Sequence, residues 1–186
     1  FHKGIISIMD EFKRLDRELI CKGSIIDYYK DTVLVPNGNI VKWDFIGHKG
    51  AAAIVPVTAQ GKIVMVRQYR NALDRYTWEI PAGGLDSPEE PTFDAAKREL
   101  GEETGYTTQN IEFLISIRTA VAFCNEKIDI YVAFDLEKGE QDLDEDEFIH
   151  VREFALDELT EMIFDGRIED NKTISAILAY KAKYKM

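Results

Sequence analysis

Residues 51 to 69 contain two runs, AAAIVPVT and KIVMVRQY, that are apolar almost without a break and are separated by a turn at Gln60-Gly61. Runs this short and this uniformly apolar read as buried strands, and the helical patterns that follow make the region from residue 51 onward a mixed α/β domain. A chain of 186 residues has room for one such domain, with or without a small appendage. At 45% hydrophobic and 31% charged it has the apolar content of a folded globule.

The appendage is legible upstream. Residues 24 to 35 and 40 to 47 are β-rich and flank Pro36-Asn37-Gly38-Asn39, where Asn-Gly tolerates the positive φ of a tight turn; this predicts a hairpin. The preceding segment, 5 to 20, fits either a strand or a frayed helix. The expected division is therefore an N-terminal β unit over residues 1 to 48 and an α/β domain over 49 to 186. A small β unit leaves open strand edges, which a second copy of the chain would cover.

Within the larger domain, PAGGLDSPEEP (81 to 91) carries three of the five prolines and reads as a shaped loop. A helix is expected from Pro91 or Thr92 to Glu103, with Gly105 as its left-handed cap. Strands are expected near 111 to 120, 127 to 135 and 148 to 154, the last preceded by an acidic stretch at 140 to 147. Two packing helices, about 156 to 164 and from about Asn171, close the chain.

Charge excludes some functions. With 23 basic and 34 acidic residues the formal net charge is −11, so a nucleic-acid duplex is a poor partner. No apolar run is long enough to span a membrane and no leader pattern opens the sequence, so a cytoplasmic protein without a membrane partner is expected. Cys21 and Cys124 lie far apart, and His2, His48 and His150 are scattered, which argues against a thiolate or imidazole metal site.

The helix at 92 to 103 carries the chemistry. At about 100° per residue, Glu99 and Glu103 lie within about 40° of each other, with Glu102 about 60° to the other side. Phe93, Ala96 and Leu100 form a neighbouring apolar stripe; burying it would hold the carboxylates at the rim of the domain. Like charges at this spacing repel, and at a helix C-terminus they also oppose the dipole. Such a cluster calls for a cation, and Mg²⁺ commonly takes one or two carboxylates together with substrate phosphates. The plainer alternative is a solvated helix face with Arg98 and Glu102 as an i,i+4 pair.

Gly84, Glu90, Arg98, Glu99, Leu100, Glu102, Glu103, Gly105 and Tyr106 stand at the spacing of the Nudix box, and the chain resembles the Nudix hydrolases, which act on nucleoside diphosphates linked to another moiety. From about residue 24 to 180 it is similar to the ADP-ribose pyrophosphatase branch, on LVPNGN, VRQYR, WEIPAG, FCNEKIDIYVA, DEDEFI and GRIEDNKTISAIL. This resemblance implies an α/β/α sandwich with a mixed sheet, an N-terminal β unit that helps build a homodimer, and Mg²⁺ (or Mn²⁺) as cofactor. It implies Glu99 and Glu103 as principal metal ligands, Glu102 as a third, Arg98 as their orienting partner, and a backbone carbonyl at Ala82 or Gly83. Glu145 and Glu147 correspond to the branch's acidic loop, which supplies the catalytic base. Arg70 and Arg67 are implied in substrate binding, Trp78 and Glu79 have a core and a substrate reading, and Tyr28 or Tyr29 would stack on adenine. The expected activity is cleavage of ADP-ribose, or a related ADP-sugar, to AMP and a sugar phosphate. One departure bears on the substrate: the branch carries a proline about sixteen residues beyond the box, where this chain has Val121 or Ala122.

Overall fold

A computed structural model describes residues 11–185. The chain divides into two compact units: residues up to His48 together with Ala120–Glu126, and Lys49–Thr119 together with the remainder of the chain.

In the first unit, β1 (Lys13–Lys22), β2 (Asp27–Leu34) and β3 (Ile40–Gly47) form an antiparallel sheet in that order. The predicted hairpin is β2–β3, to which β1 adds a third strand; residues 5–10 of the ambiguous segment lie outside the described residues. The turn is not the two-residue Asn-Gly type I′ turn, because only Gly38 takes positive φ (85°). The Val35 amide bonds the Asn39 carbonyl at 2.9 Å, leaving a three-residue loop that ends in a left-handed glycine. The β1–β2 register places Arg17 opposite Asp31, and the guanidinium grips the carboxylate with two bonds of 2.6 Å. Residues 120–126, expected in the larger domain, join this sheet: the Ile46 amide donates to the Phe123 carbonyl at 2.7 Å.

The second unit is built on a mixed sheet of β7 (Ala82–Gly84), β4 (Ala51–Pro56), β10 (Lys127–Phe134) and β9 (Asn110–Arg118), in that order. β4 and β10 are parallel and the other pairs antiparallel. Every residue of β4 is buried, as its unbroken apolar run requires, because both of its faces are covered. Ala52 and Ile54 pack under α1 (Thr92–Thr104), while Ala51, Ala53 and Val55 face a core completed by α2 (Leu156–Phe164) and α3 (Asn171–Tyr184). The layers are thus helix, sheet, helix. A second antiparallel sheet, β12 (His150–Phe154), β5 (Ile63–Arg70) and β6 (Arg75–Glu79), sends Ile63 and Met65 into the same core. β8 (Tyr106–Thr107) and β11 (Glu137–Lys138) form a short further pair. Part of the loop expected at 81–91 is regular after all: Ala82–Gly84 pair with Ala51–Ala53. Among the described residues no helix is long and apolar enough to cross a membrane.

Candidate active site

Pro91 caps α1 in an extended conformation, so the helix starts at Thr92, and it stops where Gly105 turns left-handed (φ 72°). Its apolar face is Ala95, Ala96 and Leu100, all fully buried against Ala52 and Ile54 of β4 and Tyr131 and Ala133 of β10. Phe93, expected in that stripe, is instead 41% exposed and meets the Tyr131 ring edge-on at 5.8 Å. Ala95 takes the inward position, and small residues let the helix lie close on the sheet. The carboxylates consequently sit deeper than a rim: Glu99 is 8% and Glu103 4% exposed.

Arg98 organises one side of the cluster. Its Nη1 donates to Glu99 Oε1 at 2.7 Å and to Glu102 Oε2 at 2.8 Å, its Nη2 to the Gly84 carbonyl at 3.2 Å, and its Nε approaches Glu90 Oε1 at 3.4 Å. Burial works against the guanidinium charge, but the surrounding carboxylates more than offset it and raise its pKa. The i,i+4 pair of the plainer alternative is present, yet it is one arm of a larger arrangement.

Glu103 differs. Its Oε2 accepts the Ala82 amide at 3.0 Å, and among the described residues no lysine or arginine forms an ion pair with it. Burial pushes its carboxyl up to about 8, against the Ala82 bond, with the Glu99 and Glu147 charges adding to the rise. Burial likewise pushes Glu99 up to about 7, although Arg98 opposes it. Gly83 faces Glu99 so closely that a Cβ at this position would stand inside the carboxylate.

The acidic loop is fastened to the C-terminal end of α1. The Gly139 amide donates to the Gly105 carbonyl at 2.7 Å, Gln141 Nε2 to the Glu103 carbonyl at 2.6 Å, and the Asp142 amide to the Glu102 carbonyl at 3.1 Å. These bonds satisfy carbonyls that a helix end leaves without partners. Beyond them the Glu147 amide closes a turn on the Asp144 carbonyl at 2.9 Å. Glu147 acts electrostatically on both Glu99 and Glu103. Glu145 is exposed on the same turn.

On β6, Glu79 is 2% exposed and fully engaged. It accepts Arg70 Nε at 2.7 Å, Arg70 Nη2 at 2.6 Å and Thr77 Oγ1 at 2.6 Å, and it contacts Lys172 Nζ. Burial alone would raise its pKa, but the Arg70 bonds and the Lys172 and Arg70 charges bring it down to about 2. Lys172 escaped the sequence reading. The available signal was a lysine in the first turn of α3, where a cation opposes the helix dipole and needs a local reason to be there. Arg67, three residues before Arg70, points from the opposite face of β5 and lies 4.4 Å over the Tyr76 ring. Trp78 packs edge-on against Phe154 at 4.9 Å, in the core. Tyr28 and Tyr29 belong to the first unit, where their hydroxyls donate to Asp44 at 2.6 Å and Asp27 at 3.3 Å.

No three carboxylate, imidazole or thiol groups converge as a closed cage among the described residues. The donor set nevertheless fits a hard divalent cation: two buried oxygen donors with raised pKa values, one without an ion pair among the described residues, stand beside the backbone at 82–83. Mg²⁺ needs no more than that when water and phosphate complete its shell.

Comparison with known proteins agrees. The NUDIX domain family model matches residues 47–177. The methanol dehydrogenase activator of Bacillus methanolicus is 43% identical over 169 residues, covering 90% of this chain and 91% of that protein. The ADP-ribose pyrophosphatase of Bacillus subtilis is 40% identical with the same coverage, and that of Mycobacterium tuberculosis is 33% identical over 92% of this chain and 84% of its own. A crystal structure of an ADP compounds hydrolase superposes with a TM-score of 0.83 at 22% identity, over 94% of this chain and 95% of that one, which shows a shared fold. The match across the sheet, α1 and the loop before it means that this chain belongs to the Nudix family and is a hydrolase of that family.

Proposed function

We propose that the chain hydrolyses the pyrophosphate bond of ADP-ribose, or of a related ADP-sugar, to AMP and a sugar phosphate, with Mg²⁺ as the working cation and Mn²⁺ as a substitute. Nudix hydrolases generally use divalent cations. The observation that carries the reading is the buried Glu99–Glu103 pair, in which Glu103 accepts an amide and, among the described residues, forms no ion pair with a lysine or arginine. The ADP-ribose pyrophosphatases at 40% and 33% identity support the substrate class.

In this reading Glu99 and Glu103, with Glu102 and the carbonyl of Ala82 or Gly83, hold the cation. When bound, it neutralises nonbridging phosphate oxygens and acidifies a water. Arg98 keeps Glu99 and Glu102 oriented. Glu147 or Glu145 takes the proton of the attacking water as the phosphoanhydride bond breaks, and the field of Glu147 on the pair favours Glu147. Arg70, fixed by Glu79 through Nε and Nη2 yet 39% exposed, offers the remaining edge of its guanidinium to a phosphate, whereas Arg67, on the opposite face of β5, stands apart from that contact. The N-terminal unit, residues 1–48, serves dimerisation and substrate contact, with Tyr28 or Tyr29 as the adenine platform. Exposed Phe12, Leu15, Leu19 and Trp43 support a homodimer, and two free cysteines suit the cytoplasm.

The test is AMP release from ADP-ribose with Mg²⁺, run beside GDP-mannose and a Glu103→Gln variant. AMP from the wild type, with strong loss in the variant, is expected. Turnover of GDP-mannose alone would move the specificity, and binding without cleavage of either would indicate a noncatalytic regulator. The 43% identical relative is named for activation of a dehydrogenase. It favours a second reading, action on a dehydrogenase partner, which predicts that adding the chain raises that partner's turnover.

A further inference from the structure

We propose that Thr173, set by Asp170, is a positioning residue for the carboxylate pair: the first turn of α3 fixes the peptide at 79–82 so that the Ala82 amide meets Glu103. The inference rests on the reading of Glu99 and Glu103 as cation ligands.

Thr173 is wholly buried, and its hydroxyl works in two directions. Oγ1 donates to Asp170 Oδ2 at 2.6 Å and accepts the Ile80 amide at 3.0 Å. Asp170 Oδ2 also accepts the Thr173 amide at 3.0 Å, which caps the helix, and Lys172 Nζ at 3.0 Å. Capping accounts for the bond from Asp170 to the Thr173 amide. It does not account for a hydroxyl that reaches out of the helix to the backbone of another element. With its proton committed to Asp170, Oγ1 presents its lone pairs to Ile80.

The chain from Ile80 onward is held one residue at a time by three different elements. The Ile80 amide goes to α3, the Pro81 carbonyl accepts the Ile54 amide of β4 at 3.0 Å, and the Ala82 amide goes to Glu103 of α1 at 3.0 Å. Pro81 has no amide to satisfy and a φ locked by its ring, so a shift at Ile80 passes on to Ala82. Lys172 and Arg75 reinforce the attachment, by contacting Glu79 and Glu169 respectively, so β6 and the start of α3 move as one piece. A displacement of about 1 Å at a reacting group can cost on the order of 10²-fold in rate, so the two residues of reach between Ile80 and Ala82 are enough to matter.

The test compares Thr173→Val, which keeps the shape and removes both bonds, with Thr173→Ser, which keeps the hydroxyl. Three readouts are taken: Mn²⁺ binding without substrate by electron paramagnetic resonance, hydrogen exchange of the Ala82 amide, and kcat against KM for AMP release. Thr173→Val is expected to weaken Mn²⁺ binding and lower kcat, each by about tenfold, the lower end for outer partners of metal ligands. KM should hold, the Ala82 amide should exchange faster, and Thr173→Ser should restore all of these. Should Thr173→Val not fold, Thr173→Ala, which also removes both hydroxyl bonds and leaves the Asp170 cap in place, is expected to shift the same readouts in the same direction. Unchanged Ala82 exchange and Mn²⁺ affinity in whichever of these variants folds overturns the proposal. If the wild type itself binds no Mn²⁺, the cation reading falls, and Ala82 exchange alone decides the positioning role: faster in Thr173→Val upholds it, and unchanged removes it.

Discussion

Glu79 and Glu103 are both buried glutamates of the same unit, yet their carboxyls are driven to opposite ends of the scale, to about 2 and about 8. Burial pushes both upward. Around Glu79 the chain supplies its own cations, Arg70 and Lys172, and the carboxylate is complete. Around Glu103 it supplies one amide and, without an ion pair, the charge of Lys172, and it adds Glu99 and Glu147 to the negative charge. The first arrangement is a finished structural joint; the second leaves a buried carboxylate that favours a proton or a cation from outside. Two glutamates of equal burial are thus told apart by what the sequence places beside them.

The sharpest way to test this contrast is to neutralise each in turn. Glu103→Gln should cut AMP release by roughly 10²–10⁴-fold, as expected for loss of a group at the reacting centre. In metal-free buffer at pH 8 the same variant should melt higher than the wild type, since it relieves an uncompensated buried charge. Glu79→Gln should do the reverse to stability, costing about 3–5 kcal/mol in chemical denaturation, because Arg70 and Lys172 lose their buried partner. If both substitutions destabilise alike at pH 8, the contrast is wrong.

Acidity gives a second test. The folded pKa of Glu79 lies below its unfolded value, so its contribution is present above pH 4.5 and is lost as pH falls towards about 2. The folded values of Glu99 and Glu103 lie above theirs, so the native state holds extra protons and metal-free stability should fall as pH rises from 4.5 through about 7 and 8. Denaturation series with EDTA and with Mg²⁺ should differ mainly on the alkaline side, where the cation replaces the proton. The smallest expected effect is that of Gly83→Ala, whose Cβ displaces the Glu99 carboxylate: about tenfold weaker cation binding, read by Mn²⁺ titration, with little change in melting temperature.

The carboxylate pair was legible because helical periodicity puts Glu99 and Glu103 on one face whatever the tertiary structure. The same reasoning misjudged the adjoining stripe: Phe93 and Ala95 both border it, and the closeness of α1 to the alanines of β4 decided for the smaller residue. Strands that are apolar throughout, such as β4, were plain from composition. β6 and β7 were not, since Arg75–Glu79 is mostly polar and Ala82–Gly84 owes its pairing to the neighbouring strand. Lys172 could not be assigned to Glu79, because nothing local connects residues 93 positions apart.

The bonds from Gly139, Gln141 and Asp142 to the end of α1 have a mechanical consequence. They make α1 the mounting for the loop that carries Glu145 and Glu147, so in the proposed mechanism the base travels on a short lever pivoted at Asp142. Each residue inserted beyond that pivot lengthens the lever by at most about 3.3–3.6 Å, more than proton transfer tolerates. Under that mechanism the loop length between Asp142 and Glu147 is a fixed dimension, whereas inserts before Gly139 leave the pivot where it is.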